Sequence, residues 1–154
     1  MRLLVSACLL GCPCRYDGDA KPCPAVLRWM EDHTLVPVCP EQLGGLPTPR
    51  PPAEIRGEKV INREGADVTQ AYRRGAEETL RLARLFQVQG AVLKARSPSC
   101  GKGQVYDGTF SGTLVPGDGV TARLLSENGL PVWTEESIRE KGAFSQMIDA
   151  SIQT

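Results

Sequence analysis

The chain has 154 residues, 18 lysines and arginines against 18 aspartates and glutamates, six cysteines and one histidine. That length fits one domain over residues 1–154, able to bury roughly 70% of its unfolded surface and so to build a core without disulfide staples. The balanced charge rules out net charge as a driver of binding to a long polyanion, so no stable nucleic-acid complex is expected. No stretch approaches the roughly 20 apolar residues of a membrane span, and no membrane association is expected. The apolar opening Met1–Cys8 is interrupted by Gly11, Pro13 and Arg15, too soon for an export signal. A cytoplasmic protein is expected, and in a reducing compartment six cysteines point to metal binding or catalysis rather than disulfides.

Arg2–Ala7 is a short apolar run ending at Cys8 and reads as a buried strand. Pro24 suits the first turn of a helix with Val26, Trp29 and Met30 on its apolar face. Thr34–Val38 is a second strand, ended by Cys39-Pro40. The four prolines of Gly44–Ala53 exclude regular helix and central strand. Asp67 and Gln70 resemble a capping box for a helix whose apolar face is Val68, Tyr72, Ala76, Leu80, Ala83 and Phe86. Gly90–Leu93 is a third strand, followed by a loop carrying Ser97-Pro98-Ser99-Cys100-Gly101-Lys102-Gly103. Gln104–Leu114, with Asp107-Gly108 inside it, reads as a hairpin. Asp118 is placed to cap a short helix closed by Gly129. Pro131–Trp133 is a fourth strand, and Thr134 with Glu135 and Glu136 opens a C-terminal helix. Alternating strands and helices imply an α/β fold with a parallel sheet flanked by helices.

Cys8, Cys39 and Cys100 each lie at or just beyond the C-terminal end of a predicted strand. In an open parallel sheet those ends share one edge, where ligands bind, so the three thiols should converge. The chain has no C-x-x-C pair, and Cys8-x-x-x-Cys12 and Cys12-x-Cys14 fit zinc spacing poorly. Soft thiolates remain good iron–sulfur ligands. Cys12, Cys14 and Cys23 read as core or supporting residues. Glu41, two residues after Cys39, is a candidate general acid/base. Ser97 and Ser99 suit turn capping as well as they suit catalysis. Gly101-Lys102-Gly103 lacks the full phosphate-loop pattern but can make an anion-binding turn. His33 follows a predicted helix and suits its C-terminal cap.

Three blocks then carry a resemblance: Val5-Ser-Ala-Cys-Leu-Leu-Gly11 with Cys14-Arg-Tyr-Asp-Gly18, Val38-Cys-Pro-Glu-Gln-Leu-Gly-Gly-Leu-Pro-Thr-Pro-Arg50, and Ser97-Pro-Ser-Cys-Gly101. In order and together they resemble the thiouracil desulfidase family. The resemblance implies a Rossmann-like three-layer sandwich, mainly parallel sheet with helices on both faces. It implies a [4Fe–4S] cluster on Cys8, Cys39 and Cys100 with one iron left open, and non-redox removal of sulfur from a thiolated pyrimidine base or nucleotide. Glu41 is the implied proton-transfer group, and Ser97 the implied residue that positions substrate or relays a proton. Ser99, Lys102, Arg50 and Arg15 are candidates for holding substrate, the three cations for a nucleotide phosphate. Two other readings stay open: a desulfurase or binding module for thiolated tRNA, and a structural zinc protein without catalysis.

Overall fold

Four short runs of β-branched and aliphatic residues lie side by side as parallel strands in the computed structural model, which describes residues 1–139. They are β1 (Arg2–Ser6), β2 (Thr34–Val38), β5 (Gly90–Leu93) and β8 (Val132–Thr134), in the order β2-β1-β5-β8. Leu4 faces Val36 on one neighbour and Ala91 on the other, and Ala91 faces Val132. Because side chains alternate along a strand, the sheet buries two faces. Leu3, Val5 and Val92 pack with Leu9, Val26 and Trp29 on one side. Leu4, Ala91 and Leu93 pack with Ala83, Ala122 and Leu125 on the other. The second layer is α3 (Thr69–Leu85) and α4 (Val120–Glu127), and the first is the short α1 (Pro24–Leu27) with its flanking turns. The expected three-layer α/β architecture is the one observed.

Between these elements lie α2 (Pro40–Leu43) and two small antiparallel pairs, β3 (Ala53–Arg56) with β4 (Lys59–Asn62) and β6 (Gln104–Tyr106) with β7 (Leu114–Pro116). The β3–β4 pair has no counterpart in the sequence reading. Pro51 and Pro52 stand at its start, and only four residues of each strand pair, too few to give a period.

Several local expectations are corrected. Met30 is 58% exposed, because residues 28–31 continue α1 as a 3-10 turn, whose three-residue period rotates the apolar face away. Phe86 is half exposed at the C-cap of α3. Asp67 makes no capping box: its Oδ1 accepts from the Thr69 amide (2.9 Å) and hydroxyl (2.6 Å), and Gln70 is exposed. Asp118 does not cap α4, which starts behind Gly119; it accepts instead from Lys102 Nζ and the Gly103 amide. The 104–116 hairpin turns through a seven-residue loop rather than at Asp107-Gly108 alone. Glu135 is buried and accepts from Lys94 Nζ (2.9 Å) and the Ala95 amide (2.9 Å) rather than facing a helix dipole. The expected C-terminal helix lies, beyond the 3-10 turn at Ser137–Arg139, outside the described residues.

One contact fixes the distance between α2 and α3. A Cβ on Gly44 would lie 2.0 Å from the Ala71 carbonyl oxygen, and one on Gly75 would lie 1.9 Å from the Pro40 carbonyl oxygen. Backbone meets backbone, so no side chain can yield. Gly75→Ala is expected to lower stability by about 1–3 kcal/mol through overpacking, whereas Glu77→Ala on the exposed face should change it by less than about 0.5 kcal/mol. Urea unfolding of the two variants checks this; equal midpoints would contradict the close approach.

Candidate active site

The three dispersed cysteines leave the same edge of the sheet. Cys8 sits in the 3-10 turn Ala7–Leu10 directly after β1, closed by Gly11 at φ +100°. Cys39 is the N-cap of α2, with Pro40 presetting the first helical turn. Cys100 is held in the loop after β5, where Ser97 Oγ accepts from the amides of Ser99 (3.1 Å) and Cys100 (3.0 Å). The N-terminus of α4 lies against this loop: a Cβ on Gly119 would come 2.5 Å from the Ser99 carbonyl. Ser6 Oγ accepts from the Lys94 amide at 2.9 Å and ties the ends of β1 and β5 together.

These ends enclose a cavity of about 580 Å³, lined by Cys8, Cys39 and Cys100, by Glu41 and Ser97, and by Cys14. Its volume suits a small ligand. Glu41 is anchored at both oxygens. Oε1 accepts from the Tyr72 hydroxyl at 2.9 Å, and Oε2 accepts from Nε (2.8 Å) and Nη2 of Arg50. Arg50 also donates from Nη1 to the Pro47 carbonyl (3.1 Å) and Thr48 Oγ1 (3.0 Å), and from Nη2 to the Cys14 carbonyl (2.9 Å). An arginine has five N–H donors, and all five are used here. Arg50 is therefore a clamp, with no donor left for the phosphate suggested for it.

The other substrate candidates separate. Arg15 lines the cavity, its guanidinium 5.6 Å from the Tyr16 ring and 3.7 Å from Asp17. Ser99 is corrected: it is 1% exposed, and its hydroxyl is 2.8 Å from that of Thr121 under α4. Lys102 is corrected too, since it is outside the cavity lining and pairs with Asp118 (3.0 Å) and Ser126 (3.2 Å). Cys12 is exposed and Cys23 is core. His33 is at the far end of the sheet, its Nδ1 2.9 Å from the terminal amine that precedes β1.

Cys14 is a cavity residue that the sequence reading assigns only to a core or supporting place. Its signal was only the Cys-x-Cys spacing; what brings it in is the fold of the loop, with its carbonyl on Arg50 and 3.6 Å from Cys39 Sγ. Tyr72, Glu54 and Arg63 also line the cavity and were missed. Tyr72 reads from sequence only as an apolar helix position, and nothing there marks its hydroxyl.

All six cysteines are free. Cys39 is pushed up by its hydrogen bond with Cys14 and then by burial. At Cys14 the Cys39 contact pulls down, but hydrogen bonding to Cys8, burial and the neighbouring thiols push the group up to about 11. Burial pushes Cys100 up to about 12. Cys14, Cys39 and Cys100 are thus held as protonated thiols at neutral pH, and a metal that binds them must displace those protons. A tetrahedral zinc site with Zn–S of about 2.3 Å needs thiolates about 3.8 Å apart. Among the described residues no group of three histidine, cysteine or carboxylate side chains is arranged to hold a metal ion. Soft donors on three separate loops around one cavity fit a polynuclear cluster, whose ligands attach to different irons.

A parallel sheet flanked by helices, with thiol donors and an anchored carboxylate in a cleft at the strand ends, defines an α/β protein with a candidate thiolate metal site. Residues 3–137 match the model of the 2-thiouracil desulfurase family, and the chain belongs to that family. It is 40% identical over 148 residues to the uncharacterized protein YbbK of Bacillus subtilis (strain 168), covering 90% of this chain and 98% of YbbK. The solved structure of the [4Fe–4S]-dependent thiouracil desulfidase TudS superposes with a TM-score of 0.87 at 42% identity, covering 95% of this chain and 98% of that one.

Thiolate is the nucleophile in alkylation, and its fraction grows roughly tenfold per pH unit below the pKa. In metal-free protein at about pH 8, iodoacetamide should modify exposed Cys12 first and Cys14, Cys39 and Cys100 later, with Cys14 accelerating toward about pH 10–11. Peptide mass spectrometry reads the order; Cys100 reacting as fast as Cys12 at about pH 8 would contradict the buried, protonated site.

Proposed function

We propose that this protein holds a [4Fe–4S] cluster on Cys8, Cys39 and Cys100 and hydrolyses thiolated pyrimidines. One water replaces the thione sulfur with oxygen, and the sulfur leaves as hydrogen sulfide. The observation that carries the reading is the meeting of these thiols with an anchored Glu41 around one cavity, in a chain of the 2-thiouracil desulfurase family. With three protein ligands such a cluster keeps one iron open and supplies a Lewis-acid position for the thione sulfur.

The remaining work falls to the chain. Glu41 takes a proton from the attacking water, and its place is set from both sides by Arg50 and Tyr72. The Ser97 oxygen already accepts two amides, which leaves its O–H to donate into the cleft. That donor orients the pyrimidine or passes a proton to the departing hydrosulfide. The water oxygen ends on the ring carbon, and its two protons leave with sulfur, so no external reductant is needed.

The substrate is thiouracil or 4-thiouridine monophosphate. Arg15 and Arg63, both at the cavity, are the cations that suit a nucleotide phosphate. Free thiols throughout suit the reducing cytoplasm, and among the described residues no helix is long and apolar enough to cross a membrane.

Protein purified without oxygen should carry about four irons and four acid-labile sulfides per chain and release sulfide from thiouracil. Cys39→Ser should lose the iron. Glu41→Gln should keep it while kcat falls by about 10²–10⁴. Iron and sulfide analysis beside a sulfide-release assay checks all three. An intact cluster with no sulfide from thiouracil or its nucleotide would refute the activity, and full activity of Glu41→Gln would refute the residue's role.

A further inference from the structure

Glu54 is a buried carboxylate with no part in the chemistry assigned to Glu41 and Ser97. It sits in β3 at 9% exposure and lines the cavity. Both of its protein hydrogen bonds fall on one oxygen: Oε1 accepts from the amides of Gly108 (3.0 Å) and Phe110 (3.1 Å) in the β6–β7 loop. Among the described residues no cation pairs with it. Arg63 and Arg56 instead lie 5.5 and 5.8 Å from the Phe110 ring, and Arg56 Nε donates to the Gly108 carbonyl at 2.7 Å. Oε2 has no protein partner, yet among the described residues no buried side-chain oxygen is left without one. Oε2 is therefore not sealed from solvent, and Glu54 lines the cavity.

A buried carboxylate without a countercharge is costly unless hydrogen bonds satisfy it. Here the fold satisfies one oxygen, fixes the plane of the group and leaves the other as an acceptor at the cleft. We propose that Glu54 Oε2 accepts the ring N3–H of the pyrimidine and so selects substrates that carry an N–H beside the thione. This rests on the desulfidase reading. A carboxylate is the strongest acceptor available for such an N–H. Drawing electron density from the thione makes the adjacent N–H more acidic, so the bond strengthens as the reaction proceeds and contributes to kcat as well as to binding.

Holding the loop and reading the ring are separable by Glu54→Gln. The two loop amides require an oxygen, so the glutamine carbonyl takes the Oε1 position and its amide nitrogen faces the cleft, donor against donor. A loop-holding role is kept in this variant and the reading role is lost. The comparison uses 1-methyl-4-thiouracil, which keeps N3–H, and 1,3-dimethyl-4-thiouracil, which does not. Wild-type holoprotein should favour the first by at least about 30-fold in kcat/KM. Glu54→Gln should keep wild-type iron content and thermal midpoint while that preference falls to about threefold or less, the loss lying on the N–H substrate. Calorimetric binding of 1-methyluracil and 1,3-dimethyluracil to the holoproteins should show the same collapse. Wild-type preference retained in Glu54→Gln, or no wild-type preference in binding, would overturn the proposal. Absent sulfide release by wild type with selective 1-methyluracil binding intact would instead remove the desulfidase reading and leave Glu54 as an N–H reader.

Discussion

Arg50 joins parts of the cleft that arise far apart in the chain. Its guanidinium reaches the Cys14 carbonyl in the loop after β1, the Glu41 carboxylate after β2, and Pro47 and Thr48 in the proline-rich segment. Its own amide donates to the Tyr16 carbonyl at 2.8 Å. Each N–H has an acceptor, so the residue is satisfied at 8% exposure, where a charge with unmet donors would be strongly destabilising. Glu41, Cys14 and Cys39 owe their mutual placement to this clamp. A lysine, with one compact charge and three donors, cannot span the same five contacts.

The clamp acts on a frame that the sheet and two glycines have already set. Parallel strands deliver Cys8, Cys39 and the Cys100 loop to a single edge, as the general placement of ligands in such sheets requires. The Gly44–Gly75 contact then lets α2 lie against α3 closely enough for Tyr72, on α3, to donate to Glu41, on α2. On the other side Gly119 seats α4 on the Ser99–Cys100 backbone. The result is a cleft whose Cys14, Cys39 and Cys100 thiols are costly to ionise, and whose Glu41 carboxylate is fixed before any ligand arrives. Preorganisation of this kind removes the need to rearrange charged groups during the reaction.

Much of this was legible in the sequence. The four sheet strands were found nearly to the residue, because each is a compact apolar run bounded by proline, glycine or cysteine. Their parallel arrangement followed from the intervening helices, and the convergence of the three cysteines followed from that. Cluster chemistry and substrate did not come from pattern: spacing alone led only to a thiolate metal site, and the family resemblance supplied the rest. What stayed hidden depended on long-range partners. Arg50 looked like a free cation because two of its acceptors, the Glu41 carboxylate and the Cys14 carbonyl, come from other parts of the chain. Lys102 and Asp118 looked like an anion turn and a cap, but they satisfy each other. Ser99 and Ser97 are two residues apart with opposite fates, one packed under α4 and one at the cleft, a distinction set by the turn between them.

The central claim is that sulfur leaves by hydrolysis, with the chain's own carboxylate handling the proton and no electrons exchanged with an outside donor. Turnover of thiouracil in water labelled with heavy oxygen, without dioxygen or reductant, tests it most directly. The account predicts one labelled oxygen in each uracil formed and one sulfide released per uracil. Product that lacks the label, or turnover that begins only when a reductant is supplied, would contradict it.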